Sequence, residues 1–302
     1  MRTPHTPANP TTSDGIDPLP TGPSVPIRSR GSRPSRLVSL ARLAAVAVGA
    51  CAPADDAAET DAVPRDSAHL YADRVLESLG GEEAWEDTRF LSFRWVVARE
   101  GDVVSDRRHA WDRYDGRYRL EYTADGAPHV ALFNEKEIRQ DPTLGKIPSG
   151  RVWRDGVELG SPVADSALAG AYATFINDTY WLLMPLKWED PGVHLAYEGT
   201  RTLSDGRAYA VVHLTFDQGL GVTEDQYWAF VDPETGRMAA WQYHLGRSAE
   251  PGSVIWWDQW TPLGNLTMPL RRRNEEGDLV IRFEDVVAAH EVPDSVFVPP
   301  MP

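Results

Sequence analysis

The sequence predicts an α+β domain in which one large antiparallel sheet carries two helices on one face. Three observations predict it: runs in which apolar and polar residues alternate, short turn signals between those runs, and two stretches where the apolar period lengthens to that of a helix. With 302 residues and a hydrophobic share of 42%, the chain has the length for one large core or two modest ones.

In chain order, the first element is a helix. Ser67 is a residue type that caps helical amides, Tyr71, Val75, Leu76 and Leu79 recur at helical spacing, and Gly80-Gly81 stops the run. Strands follow. Leu91, Phe93, Trp95 and Val97 alternate with Ser92, Arg94 and Val96, and the period returns in Tyr118-Leu120-Tyr122, between Tyr209 and Phe216, and in Leu279-Ile281-Phe283. Asp-Gly pairs at 115–116, 125–126, 155–156 and 205–206 are hairpin turn candidates, because the turn needs positive φ, which Asp tolerates and Gly accepts without a Cβ clash. Glu100-Gly101-Asp102, the stretch Asp232 to Gly236, and Glu276-Gly277-Asp278 read the same way. Strands joined by such short turns run antiparallel. One helix interrupts them. From Val163 to Leu183 there is no proline and only Gly170 among glycines, Leu168, Tyr172, Phe175, Ile176 and Leu183 fall near one helical face, and Pro185 ends the run. The expected order is helix, about five strands, helix, about six strands, hence about 11 strands in one sheet.

Ahead of the domain lies a different kind of sequence. Residues 1–27, rich in Pro, Thr, Ser and Gly, show no hydrophobic period and read as a disordered leader or a start codon placed too far upstream. Arg28, Arg30, Arg33, Arg36 and Arg42 then precede the apolar run Leu43 to Ala50, which closes on Cys51, the single cysteine. The run is too short to span a bilayer, follows basic residues and ends on small ones, the layout of a secretion signal. Val48-Gly49-Ala50-Cys51 resembles the lipobox of bacterial lipoproteins, which makes Cys51 the expected lipidation site; the alternative is an ordinary signal peptide with an incidental cysteine. Ala52 stands where an acidic residue would favour inner-membrane retention, so the expected location is the periplasm-facing side of the outer membrane. The expected organisation is leader and signal over 1–50, an Ala, Asp, Glu and Pro tether over 51–66, and one domain over 67–302.

Charge excludes some partners. Six of the 30 basic residues and two of the 45 acidic ones precede Cys51, so the remainder carries 24 against 43, a net charge of −19. Nucleic acid and anionic head groups require a basic footprint, and this chain has none to offer. Membrane contact is expected through the lipid on Cys51.

Several stretches together resemble the LolA/LolB type of lipoprotein carriers and receptors, closest to uncharacterised lipoprotein relatives of that type. They are the helix closing on Leu79-Gly80-Gly81, the segment from Asn177 to Pro185, the turn from Val231 to Arg237, the stretch from Trp257 to Pro269, and the close from Val292 to Pro300, together spanning residues 69–300. The resemblance implies a half-barrel, an unclosed curved sheet with helices laid across its concave face as a lid. It also implies a buried arginine held against that lid, for which Arg94 and Arg113 are the candidates.

A curved sheet closed only by helices leaves an apolar cleft, the default place for an apolar ligand. Eleven tryptophans supply broad apolar faces with one N–H each, although each taken singly suits a core equally well. Alternation places Phe93, Trp95, Trp111, Tyr122, Trp228 and Trp241 on the cleft wall, with Tyr172, Phe175 and Ile176 from the second helix; a one-residue slip in register would turn any strand's set outward. No nucleophile elbow, phosphate loop, His-Glu-x-x-His helix or Cys-x-x-Cys pair occurs from residue 51 onward. A zinc site at His213 and His244 is the weaker reading of two strand histidines. The expectation is therefore no enzyme, no cofactor and no metal, in a monomer that binds an acyl chain, lipid or lipoprotein. The alternatives are an interaction protein with a filled core and, third, a hydrolase of envelope polymers.

Overall fold

A computed structural model describes residues 67–217, 225–246 and 251–301. The leader, the lipidation candidate Cys51 and the tether lie outside the described residues. The domain opens with α1 (Ser67–Ser78) and α2 (Gly81–Asp87), followed by β1 (Phe90–Arg99), β2 (Asp102–Asp112), β3 (Arg117–Ala124), β4 (Ala127–Asp141), β5 (Gly145–Arg154) and β6 (Val157–Glu158). Next comes α3 (Val163–Leu183), a 3-10 turn over Met184–Lys187, and then β7 (Val193–Thr202), β8 (Ala208–Phe216), β9 (Gln226–Val231), β10 (Met238–His244), β11 (Ile255–Leu263), β12 (Leu266–Asn274) and β13 (Leu279–Ala289). A second 3-10 turn, Asp294–Phe297, closes the described chain.

All 13 strands form one open antiparallel sheet in the order β6-β5-β4-β3-β2-β1-β13-β12-β11-β10-β9-β8-β7, consistent with a half-barrel. The α+β class stands, with 13 strands in place of about 11 and three α-helices in place of two. The extra helix, α2, is seven residues long, too short to show a period, and starts at Gly81, the second of the glycines that stop α1. The extra strands include β6, of two residues, which is also below the length at which alternation is visible. The expected turns are where the sequence puts them: Glu100-Gly101, Asp125-Gly126 and Asp155-Gly156 all have positive φ at both residues, as type I′ hairpins require.

The chain starts in the middle of the sheet. β1 pairs β13 there, the chain walks out to the edge at β6, and α3 carries it to the opposite edge at β7, from which it walks back. Twenty-one helical residues measure about 30 Å, enough to cross the open side. The inner face of the sheet and the helices share the main core, built around Trp95, Trp111, Trp181, Trp241 and Trp257. A smaller cluster of Leu203, Tyr209, Val211, Phe230, Ala240, Val254 and Trp256 lies on the outer face of β8 to β11. Among the described residues no helix is long and apolar enough to cross a membrane.

Candidate functional site

The space enclosed by the half-barrel is occupied by α3. Its first half behaves as an amphipathic helix, burying Leu168, Ala171 and Phe175, but from Asn177 to Leu183 seven consecutive residues are buried. A helix covered on all sides is a core helix. The expected lid is therefore a plug, packed on β4 and β5 and reaching β12 through its C-terminus.

Two polar contacts hold the plug. The first is Asp178, whose carboxylate is fully buried, with Arg107 Nε 2.8 Å and His109 Nε2 3.1 Å from Oδ2 as charge contacts. Arg107 Nη2 and Asn177 Nδ2 donate to Oδ1 at 3.0 and 2.8 Å. His109 Nδ1 lies 2.7 Å from the Tyr118 hydroxyl. Burial lowers the His109 pKa, against the pull of Asp178, so the ring is neutral. His109 Nε2 lies in ion-pair range of Asp178 without hydrogen-bond geometry, and Nδ1 shares a hydrogen bond with the Tyr118 hydroxyl.

The second contact is Arg272, fully buried on β12. Its guanidinium lies 3.5 Å from the centre of the Trp257 ring, donates through Nη2 and Nε to the Trp181 carbonyl at 2.8 and 3.2 Å, and through Nη1 to Pro269 O at 2.6 Å. Trp181 O is one of the last carbonyls of α3, so a cation from the sheet caps a buried helix C-terminus. Burial holds the Arg272 pKa well below its ordinary value. Arg272 is thus the arginine buried against the helix, and neither sequence candidate is. Arg94 is paired with Asp106 and Glu284 on the outer face. Arg113 is buried but serves α2, donating to the carbonyls of Trp85 and Thr88. Alternation within Arg271-Arg272-Arg273 held the missing signal: the outer two pair with Asp258 and only the middle one can face inward.

The residues expected to line a cleft divide into three groups. Phe93, Trp95, Trp111, Phe175 and Trp241 come together on the inner face, between 0% and 3% exposed, so they border no space that water can enter. Trp181 of α3 fills the centre, its ring 4.7 Å from Trp241 and 6.3 Å from Trp95, and Phe175 lies 5.3 Å from Trp111. Tyr122, Tyr172 and Ile176 are half-buried at the margin of this core, with Tyr122 stacked on His129. Trp228 is a correction: on β9 it is Tyr227, Ala229 and Val231 that join the inner core, and Trp228 points outward.

The filled core is not fully satisfied. The indole N–H groups of Trp95, Trp241 and Trp257 have no acceptor among the described residues, nor is the Asn177 amide oxygen paired; the Trp111 indole is turned to the Glu135 carboxylate. Glu135, in the irregular part of β4, has one buried carboxylate oxygen, and burial pushes its pKa up to about 7 against the pull of Lys136 and the Trp111 indole. Open hollows lie on the outer face. One of about 510 Å³ runs between β1 to β3 and the segment from Pro293 to Met301, and one of about 420 Å³ lies over β7 to β10.

Residues 160–253 match a family of unknown function, DUF6503. Among solved structures, the chain is similar to a DUF1329 family protein from Desulfovibrio piger, with a TM-score of 0.40 and 10% identity over 78% of this chain and 98% of that one. No curated protein matches the chain.

Proposed function

We propose that this chain is a non-enzymatic, lipid-anchored protein of the bacterial cell envelope that takes an apolar ligand into the half-barrel in place of α3. The ligand is an acyl chain, a lipid or the acylated end of a lipoprotein. The observation that supports this reading is the set of three buried indole N–H groups, those of Trp95, Trp241 and Trp257, without acceptors around α3. In a permanently filled core each costs about 1–3 kcal/mol. An occupant that brings ester or amide carbonyls among its methylenes would satisfy them. The polar ties at Asp178 and Trp181 O suit a helix that leaves, because exchange with water or ligand can compensate them. Cys51 supplies the anchor, on the periplasmic face of the outer membrane, and the working unit is a monomer.

A second reading rests on the burial of the inner-face aromatics: the core is complete, and the role lies on the outer surface. Native mass spectrometry of the protein mixed with palmitate, lysophospholipid and a triacylated lipopeptide separates the two. The first reading expects a bound mass with at least one of them, lost in W95Q and F175Q. An unchanged apo mass with all three contradicts it and supports the second.

A further inference from the structure

The outward turn of Trp228 builds a second constellation, on the face opposite α3. Its cross-strand partners are His213 on β8 and Gln242 on β10, which point the same way. β7 joins them through a bulge. Ala196 faces His213 and Arg201 faces Tyr209, so five steps on β7 match four on β8, and Gly199 at φ +84° absorbs the difference. A bulge of this kind re-aims side chains. Here it brings Glu198 and Arg201, three apart, onto one face.

The resulting groups are fixed by one another. Trp228 Nε1 donates to Glu198 Oε2 at 3.1 Å, His213 Nδ1 lies 2.8 Å from Glu198 Oε1, and the His213 ring stacks on the indole at 4.7 Å and 7°. Arg201 Nη1 donates to Gln242 Oε1 at 2.9 Å, and Gln242 Nε2 donates to Gly252 O at 2.9 Å. Glu198, Arg201, Val211, Trp228, Gln242 and Pro251 border the hollow of about 420 Å³, within the range of about 300–1,000 Å³ usual for small-molecule sites.

The mixture of groups selects the ligand. An anion would meet Glu198, a cation would meet Arg201, and an apolar molecule would strip water from both without replacing its hydrogen bonds. A neutral molecule with an apolar face and neighbouring hydroxyls meets every group: the indole takes the C–H face, the carboxylate accepts from hydroxyls, and the planar guanidinium and amide donate to and accept from adjacent ones. We infer that this hollow binds a ring of a neutral saccharide. The site stands on the opposite face of the sheet and does not depend on what α3 does.

The test uses the whole protein labelled with ¹⁵N and three probes, maltotriose, cellotriose and triacetylchitotriose, each up to about 10 mM. The indole N–H resonance of Trp228, identified by its absence in W228F, is expected to shift saturably with at least one of them. E198Q and R201A alter exposed side chains and are expected to fold normally while weakening binding about fivefold or more. The inference is overturned if none of the three sugars moves that resonance, or if both folded variants bind as the parent does.

Discussion

Asp112 shows what single groups contribute to this fold. Its carboxylate is completely covered, and it receives Arg89 at 2.9 and 3.0 Å and Arg117 at 2.8 and 3.1 Å. Burial alone would raise its pKa, but the two guanidinium groups outweigh it and hold the group at about 2. The folded value lies below the unfolded one, so the pairing adds stability that is complete above about pH 4 and is lost as pH falls towards about 2. D112N is expected to lower stability by about 2–3 kcal/mol at pH 7, read by urea unfolding, and to differ far less from the parent at pH 2. Glu135 has the opposite sign. Its folded pKa is raised to about 7, so it costs nothing at about pH 4, where both states are neutral, and stability falls as pH rises towards 7. Thermal melts should find E135Q more stable than the parent at pH 8 and indistinguishable from it at pH 4; equal melting at both pH values would contradict the burial of this group.

At the scale of elements, α3 depends on a cap it does not carry. R272L leaves the carbonyls of Trp181 and Pro269 buried without their donor, and is expected to lower stability by about 2–4 kcal/mol in chemical denaturation. Retained stability would mean that the helix end finds another partner. Strand faces make a second comparison. Trp241 is buried in the inner core and Trp228 lies half-buried on the outer face, so W241A should cost about 3–5 kcal/mol and W228A distinctly less. Equal costs would contradict the placement of Trp228 and Trp241 on opposite faces of the sheet. These elements also mark how far the sequence could be read. The span of α3 was legible because proline and glycine punctuate its ends, and the hairpins because Asp-Gly pairs have few other uses. The face of β9 was not, since Tyr227, Trp228, Ala229, Phe230 and Val231 form a continuous apolar run in which alternation is invisible. Burial on both faces, by the inner core and the small outer cluster, produced that run. The same double burial hid Arg272, whose inward turn is read from its neighbours' ion pairs rather than from hydropathy.

At the scale of the whole molecule, the order of strands puts the beginning and end of the described domain side by side at β1 and β13, and α3 links the two free edges, β6 and β7. Local pattern gives the strands and their antiparallel sense, but the pairing of β1 with β13 joins residues nearly two hundred positions apart and leaves no local signal. It is also why the helix ends up inside. The crossing from one edge of this open sheet to the other passes over its mouth, and burial draws the second half of the helix inward. The exposed charges, with acidic residues in excess, keep the outer surface solvated. The ligand site proposed for the interior is closed by its own helix, and hydrogen exchange reads whether that helix yields. With a triacylated lipopeptide added to the full protein, the amides of 177–183 are predicted to exchange at least about tenfold faster while those of β1 and β13 keep their protection. Amides 177–183 that remain as slow as β1 in the presence of the lipopeptide would contradict it.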